Sequence, residues 1–351
     1  MRQAVKETGK GERTMKEKRW GYGLLSRCRG ELMGLAMLWV MLFHAFAWRP
    51  KWQWLYDFKG IGFCGVDMFL LLSGMGLALS LCKREQSYGD YLKRRLVRVL
   101  PTYWLVTGAY GLALRLAKRT TLKTVAWTMS TLFYWCNKPN YFNWYVPALL
   151  GFYLIAPAAV ALLRRVKLPQ LVVGGSWALS FVLYQLTATA WGEVPGGSIA
   201  RIPIFLTGCM LGVYLAREKQ LTWKGTVAWC ALPLLIPVVK WAQPYYLPNG
   251  LWFMLVCVPI CLALAWLLEW LPKGGFRRAL REIGGASLEI YLLNVVFVLE
   301  RELLEKVVPI GPNYLAFYGI TIPLNILLGV GLHYALKKPL AWLKEALGSK
   351  G

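Results

Sequence analysis

Two ionisable side chains, those of His44 and Asp67, lie inside long apolar runs of the sequence. His44 lies in LAMLWVMLFHAFAW and Asp67 in GIGFCGVDMFLLLSGMG. A charged group in hydrocarbon is unfavourable unless it is paired or faces water, so such residues often mark functional sites. An imidazole beside a carboxylate is the arrangement of a general base and the group that orients it. The sequence therefore predicts a catalytic His44–Asp67 pair, with a purely structural pair as the alternative.

Two arginines, Arg95 and Arg98, lie three residues apart in KRRLVRVLPTYW, where the chain enters a later apolar run. Residues three apart share one face of a helix, and guanidinium groups bind phosphate through paired hydrogen bonds. The pattern predicts a phosphate site at the inner membrane surface. From charge alone, an anchor to lipid headgroups that also sets topology would be the favoured interpretation.

Other candidate residues are polar or aromatic side chains near predicted helix ends or inside apolar runs. Glu289 is a second acid in an apolar run, GASLEIYLLN, and its candidate partners are Arg201 and Asn294. The full set of expected substrate contacts is Asn143, Trp144, Tyr145, Arg201, Glu289 and Asn294. For Trp144 and Tyr145 the interfacial aromatic belt is an equally weighted alternative. The eight cysteines lack the spacing of metal ligands, so no metal is expected.

The composition indicates the elements that must hold these residues. Of 351 residues, 57% are hydrophobic and 14% aromatic, and the mean hydropathy is +0.43. Apolar runs of this length and number are typical of a multi-pass protein of the cell membrane. The formal charge of +24 is carried by short connections between apolar runs, where basic residues set topology and meet lipid. No nucleic-acid-binding motif accompanies them, so no nucleic acid partner is expected.

The apolar runs predict an all-α, polytopic fold with about ten transmembrane helices, at residues 31–48, 61–82, 99–117, 143–163, 169–191, 200–216, 223–242, 249–271, 285–304 and 312–336. The run 124–136 is too short to cross and is expected to be re-entrant or interfacial. With both termini cytoplasmic, more than two thirds of the 41 Lys and Arg residues lie on the inner side, as the positive-inside rule requires.

This topology divides the chain into three parts and gives each site residue a depth. We expect a basic cytoplasmic tail over residues 1–30, a transmembrane domain over 31–336 and a short basic cytoplasmic tail over 337–351. At 1.5 Å per residue, His44 lies about 6 Å and Asp67 about 9 Å from the outer ends of their spans. The two side chains are therefore predicted to meet in the outer half of the bilayer.

An ordered set of motifs gives the chain a family resemblance. VMLFH ends the first span and is followed by GVDMFLLLSG, KRRLVRVLPTYW, NWYVPALLGFYLIAP, RIPIFLTGCMLG, GASLEIYLLN and a closing KKPL. In this order, over roughly residues 25–343, the motifs resemble those of the acyltransferase 3 family. These are membrane O-acyltransferases of the exopolysaccharide and lipopolysaccharide O-acetylase type.

The resemblance implies roles for four residues. His44 corresponds to the family's catalytic histidine, and Asp67 to the acid of its GVD motif. Arg95 and Arg98 correspond to its RxxR motif, which is associated with acyl-CoA. The implied donor is acyl-CoA, with acetyl-CoA the expected form, and the implied acceptor is a hydroxyl of a glycan or a lipid-linked sugar.

Three positions depart from the family pattern. The family often has an arginine eleven residues before its histidine, where this chain has Met33, although Arg27 and Arg29 lie nearby. Leu149 replaces a common acidic residue, and Asn294 replaces the histidine that often closes the SxxIYLxH motif. These departures bear on the class of acceptor and on the details of donor binding.

Residues and resemblance together predict a mechanism. The phosphates of acyl-CoA would bind near Arg95 and Arg98 at the inner face, while the thioester reaches His44. His44 would act as a general base oriented by Asp67, or would form a transient acyl-histidine. The rival function is a glycan-lipid transporter or flippase that uses His44 and Asp67 as a proton relay, although the sequence has no evident inverted repeat. An inactive relative is the third possibility.

Overall fold

A computed structural model of the protein describes residues 21–84, 86–136, 144–190, 197–219, 221–237, 252–308 and 313–347. Across these residues the chain is 85% helical and has no strand, so the predicted all-α class is confirmed. Asn143, one of the expected substrate contacts, and most of the basic tail at residues 1–30 lie outside the described residues.

The α-helices of the described residues are α1 (Tyr22–Arg27), α2 (Arg29–His44), α3 (Gln53–Gly60), α4 (Gly65–Lys83), α5 (Tyr88–Leu116), α6 (Leu122–Met129), α7 (Leu132–Trp135), α8 (Tyr145–Arg165), α9 (Pro169–Ala190), α10 (Ile202–Ala216), α11 (Trp223–Ala231), α12 (Phe253–Trp270), α13 (Gly275–Gly285), α14 (Ser287–Leu299), α15 (Arg301–Val307) and α16 (Tyr314–Ala346). Two short 3₁₀ segments, Gly62–Cys64 and Leu232–Leu235, precede α4 and follow α11.

Several helices begin where a polar cap precedes an apolar run. The Ser87 hydroxyl accepts a hydrogen bond from the Asp90 N–H at the start of α5, and Asn313 accepts one from the Ala316 N–H at the start of α16. Such caps satisfy backbone donors that the first helical turn leaves open. Within the apolar runs the helix then satisfies its own backbone groups, as a chain surrounded by hydrocarbon must.

Five helical stretches among the described residues are long and apolar enough to cross a membrane. They are Gln53–Lys83, Tyr145–Arg165, Gly197–Ala216, Phe253–Trp270 and Tyr314–Ala346. The pair α13 and α14 would make a sixth span if it is counted as one, although it is bent by 73° between its two helices. The helices agree with an all-α membrane protein, while ten crossings and two cytoplasmic termini stay predictions. The last helix runs to Ala346, well past the predicted span end at 336.

The run 124–136 forms two short helices rather than one long one. At 1.5 Å per residue, α6 is about 12 Å long and α7 about 6 Å, well short of the roughly 30 Å of a hydrocarbon core. The Tyr103 hydroxyl donates to the Thr128 carbonyl at 2.6 Å, and the Trp104 indole donates to the Met129 carbonyl at 2.9 Å. These bonds hold α6 against the side of α5.

Small residues bring α4 and α10 into close contact. A Cβ atom on Gly208 would meet the carbonyl oxygen of Leu71, and one on Gly212 would meet that of Met75. Gly208 and Gly212 are four residues apart and lie on one face of α10, the usual arrangement for close helix packing in membranes. The two helices therefore form a rigid pair at the centre of the fold.

A buried ion cluster fixes the first turn of α2. Glu31 accepts hydrogen bonds from Arg277 at 3.1 Å and from Arg281 at 2.8 Å. Glu31 and Arg277 are almost fully buried, and Gly34 lets α2 approach the backbone of Leu280 on α13. Because a buried carboxylate needs such partners, α13 determines where α2 begins and where its first side chains point.

Candidate functional site

His44 lies in a small cavity at one end of the helix bundle. The cavity has a volume of about 30 Å³, room for about two water molecules. Its walls come mainly from α2, α14 and α16 and include Asn294, Tyr318 and Asn325. Within the described residues no carboxylate lines it. We call it the histidine cavity.

Asn294 determines the tautomer of His44. The His44 Nδ1 and Asn294 Oδ1 atoms are 2.5 Å apart. An amide oxygen can only accept, so Nδ1 carries the proton and donates it to this bond. The other ring nitrogen, Nε2, is then left with a free lone pair. This is the form that an imidazole needs to act as a general base.

Asn325 supports the turn of α14 that carries Asn294. Its side chain is completely buried on α16. In the amide orientation that satisfies both groups, it donates to the Ile290 carbonyl at 3.2 Å and accepts from the Asn294 backbone N–H at 3.0 Å. A chain of contacts therefore runs from Asn325 through Asn294 to the His44 ring.

The predicted pairing of His44 with Asp67 is wrong. Asp67 instead forms a buried ion pair with Arg201, in which Arg201 Nε donates to Asp67 Oδ1 at 3.0 Å. Arg201 also donates to the Gly197 carbonyl at 2.9 Å, and its guanidinium lies over the Trp144 ring at 5.2 Å. Isolation in apolar runs and matching depth suggested the pairing, but Arg201 at the start of α10 faces Asp67 because α4 and α10 pack closely. Whether Asp67 contributes to catalysis stays a prediction.

A second, elongated cavity begins at the opposite end of α2. It has a volume of about 110 Å³ and is lined by Arg29, Arg95 and Arg98. Along α2 it extends from Arg29 to Val40, about 16 Å at 1.5 Å per residue. Val40 is one helical turn before His44, so the cavity ends close to the histidine. We call it the arginine cavity.

Two of the three guanidinium groups are held in different ways. Arg29 Nε donates to the Leu72 carbonyl at 3.0 Å, and the absence of a side chain at Gly76 makes room for the guanidinium. Arg95 packs over the Tyr91 ring, and its buried Nε has no hydrogen-bond partner among the described residues. A buried donor without a partner is costly, so the Arg95 Nε atom is well placed for a ligand oxygen.

The sequence reasoning missed Arg29 as a site residue. The family's usual arginine position is occupied by Met33, and Arg29 lies four residues before it. Residues four apart share one face of a helix, and both side chains line the arginine cavity. An arginine placed one helical turn before the usual family position was therefore the signal that could have identified Arg29.

Three aromatic side chains in mutual contact form part of the wall of the arginine cavity. The Tyr145 and Tyr291 rings are 5.2 Å apart, and the Phe69 and Tyr145 rings are 6.3 Å apart. We call these three residues the aromatic layer. All three line the arginine cavity, so Tyr145 lies on the arginine side and not beside His44.

Glu289 has a partner that the sequence did not suggest. Its carboxylate lies 3.4 Å from His333 Nδ1 on α16. The expected partners Arg201 and Asn294 are instead bonded to Asp67 and His44, respectively, so that prediction is wrong. The pair Glu289–His333 ties the first turn of α14 to α16.

The positions that depart from the family pattern all lie at the two cavities. Met33 and Leu149 line the arginine cavity as apolar walls, and Asn294 bonds to His44. Within the described residues no cluster of three or more His, Cys, Asp or Glu side chains could hold a metal ion. The arrangement offers a cationic chamber for an anionic group and a neutral imidazole base about 22 Å along α2 from Arg29.

Comparison with known proteins gives one match. A family model described as an acyltransferase domain matches residues 32–334. The matched region contains His44, Arg95, Arg98 and Asn294, while Arg29 lies just before it. No curated protein and no solved structure matches the chain.

Proposed function

We propose, on the premise that this chain belongs to the acyltransferase 3 family, that it transfers an acyl group from acyl-CoA to a hydroxyl of a cell-surface glycan or a lipid-linked sugar. Family membership supports a membrane acyltransferase in general. The acetyl form of the donor, the class of acceptor and the site residues are our proposals. The observation that carries them is the arginine cavity, which follows α2 from Arg29 to within one turn of His44.

The donor site is proposed at the arginine cavity. Acyl-CoA carries several phosphate groups, and Arg29, Arg95 and Arg98 bring three guanidinium groups to one chamber. Guanidinium binds phosphate through charge-assisted, often bidentate hydrogen bonds. The apolar walls at Met33, Val40 and other lining residues suit the uncharged arm that carries the thioester toward His44.

The proposed reaction is a direct transfer. His44 Nε2 takes the proton of the acceptor hydroxyl as its oxygen attacks the thioester carbonyl carbon. The carbon–sulfur bond breaks, and the departing thiolate of CoA receives the proton from the imidazolium. Asn294 holds Nδ1–H throughout, so it performs the orienting role that the sequence suggested for Asp67.

The test of this function is transfer of label. The purified protein in nanodiscs is supplied with acetyl-CoA labelled in the acetyl group and with surface glycans from a strain that lacks the protein. We expect the glycan fraction to gain labelled acetyl groups. Free CoA should be released in an equal molar amount. Translocation of a glycan-lipid without label would instead favour the rival transporter, and neither result from a folded protein would favour an inactive relative.

Removal of a guanidinium from the arginine cavity should weaken donor binding. Arg29→Ala, Arg95→Ala or Arg98→Ala each removes a charge-assisted contact worth about 1.5–3 kcal/mol. The measurement is the Kd of acetyl-CoA by calorimetry. Lysine at the same positions should restore only part of the affinity, because it cannot present two parallel donors. Arg94→Ala is the matched control, since Arg94 does not line the cavity. Wild-type affinity in all three alanine variants would contradict the donor site.

Loss of the amide that orients His44 should slow transfer without weakening donor binding. Asn294→Ala frees the His44 ring and allows the wrong tautomer, so we expect kcat to fall by about tenfold, the equivalent of one orienting hydrogen bond. Asn294→Asp keeps an acceptor for Nδ1–H and should retain activity. The measurement is kcat and the KM for acetyl-CoA in the transfer assay. An equal loss in the Ala and Asp variants would show that Asn294 does not act through His44.

A further inference from the structure

A third cavity, lined by hydroxyl groups, lies between α5 and α6. It has a volume of about 470 Å³, which is within the range of small-molecule sites. Its hydroxyl-bearing walls are Thr107, Tyr110, Thr120, Thr121, Thr124 and Thr128. We call it the threonine cavity. Leu299 at the end of α14 also lines it, so it lies at the same end of the bundle as His44.

The charges at the rim of the threonine cavity cancel each other. Arg119 Nη1 donates to Glu300 Oε2 at 2.7 Å, and the Tyr110 hydroxyl donates to Glu300 Oε1 at 2.7 Å. The hydrogen bond to Glu300 raises the pKa of the Arg119 guanidinium, which stays charged and paired. An anionic ligand would therefore meet no uncompensated positive charge here, unlike in the arginine cavity.

The walls favour a neutral ligand that is rich in hydroxyl groups. A threonine hydroxyl can both donate and accept, as can the hydroxyl of a sugar. The Thr121 and Thr124 hydroxyls hydrogen-bond each other at 3.0 Å, and Thr121 Oγ1 also accepts from the Thr124 N–H. One hydroxyl hydrogen and the remaining lone pairs of this pair are left for a ligand. A hydrocarbon chain would bury polar groups without offering them hydrogen bonds, which is unfavourable.

The position of the cavity relates it to the proposed reaction. The histidine cavity, at about 30 Å³, is too small for a sugar ring. Val298 lines the histidine cavity and Leu299, the next residue, lines the threonine cavity. The end of α14 thus lies between the histidine cavity, which has room for one hydroxyl group beside His44, and the threonine cavity, which has room for a whole sugar ring.

We infer that the threonine cavity binds a neutral sugar residue of the acyl acceptor, while a hydroxyl of an adjoining residue of the same glycan reaches His44. This inference rests on the proposed acyl transfer and names the acceptor subsite for it. Tyr110 and the Arg119–Glu300 pair form the rim that the bound ring would face.

The first test measures ligand binding without any activity. A single cysteine is introduced as Thr124→Cys, with Cys82, Cys136 and Cys230 changed to serine because they are exposed or half-buried. The rate of reaction with a charged, membrane-impermeant maleimide is measured in nanodiscs, with and without the methyl glycosides of glucose, galactose and N-acetylglucosamine. Leu122→Cys is the matched control, since Leu122 is exposed on the same helix and does not line the cavity.

We expect at least one of these glycosides to slow labelling of Thr124→Cys in a saturable way and to leave Leu122→Cys unaffected. Adding Thr107→Val, a nearly isosteric change that deletes the buried hydroxyl of a cavity-lining residue, should weaken this protection by about threefold to tenfold. Thr102→Val, on the same helix but outside the cavity, should leave it unchanged. No protection by any of the three glycosides, or equal slowing at Leu122→Cys, would overturn the inference.

The second test separates the acceptor subsite from the proposed function. Thr124→Val should raise the KM for the glycan acceptor by about threefold to tenfold and leave the Kd of acetyl-CoA unchanged. If the wild-type protein transfers no acyl group, the proposed function fails while the protection assay still reports on the sugar site. If transfer occurs and Thr124→Val and Thr107→Val both keep the wild-type KM for the acceptor, the subsite alone is refuted.

Discussion

His44→Ala is expected to abolish acyl transfer while leaving the protein folded and able to bind its donor. In the proposed mechanism the imidazole, which lines the histidine cavity, is the general base, and loss of a positioned general base typically slows a reaction by about 10²–10⁴-fold. The donor phosphates are proposed to bind about 22 Å away along α2, so the Kd of acetyl-CoA should stay near its wild-type value. The measurements are the transfer rate, the Kd and the melting temperature of the purified variant.

Two further variants sharpen this experiment. His44→Gln keeps a donor that can reach the Asn294 oxygen but supplies no base, so it should be as inactive as His44→Ala and at least as stable. His333→Gln is the matched control, because His333 is the other histidine of the chain, pairs with Glu289 and lines neither the histidine cavity nor the arginine cavity. A well-folded His44→Ala protein with full activity would end the proposed mechanism.

Asp67→Ala is expected to destabilise the protein strongly. The Asp67 carboxylate is almost fully buried and its partner Arg201 is largely buried, so the variant leaves a guanidinium without its counter-charge. Removal of one member of a buried ion pair typically costs about 3–5 kcal/mol. The measurement is thermal or denaturant unfolding in nanodiscs.

A double variant distinguishes a structural Asp67 from a catalytic one. Replacing both partners by apolar residues, as in Asp67→Leu with Arg201→Met, often restores stability because no charge is left unpaired. Since His44 is oriented by Asn294, we expect the double variant to recover transfer together with folding. A double variant that is stable but inactive would instead assign Asp67 or Arg201 a part in the chemistry.

The sequence predicted the positions of the helices better than it predicted which side chains contact each other. Long apolar runs with few charges determine where helices form, and a helix lies at His44, at Asp67 and at Arg95 and Arg98, as expected. His44 and Asp67 are chemically unusual in their apolar surroundings, whereas Arg95 and Arg98 stand out by their spacing and by the family motif. These candidate residues follow from the local sequence, so one amino-acid sequence is enough to find them.

The contacts between helices could not be predicted in the same way. The depth of His44 and Asp67 agreed, but their partners depend on the rotation of each helix, which packing decides. Gly208 and Gly212 bring α10 against α4 and so present Arg201 to Asp67. Arg29 lies one helical turn before the family's arginine position, so comparison by residue number does not identify it, whereas comparison by helix face does.

The aromatic layer has an electrical consequence. Where water-filled chambers approach a thin barrier from both sides, a membrane potential falls mainly across that barrier. Tyr291 of this layer lies three residues before Asn294 on α14, a rise of about 4.5 Å at 1.5 Å per residue, and one elementary charge crossing a full potential of 100 mV would exchange about 2.3 kcal/mol with the field. The proposed donor needs to pass only its uncharged thioester arm across this layer, because the arginines hold its phosphates behind. Acyl transfer would then be electroneutral, and its rate should be the same in energised and de-energised vesicles.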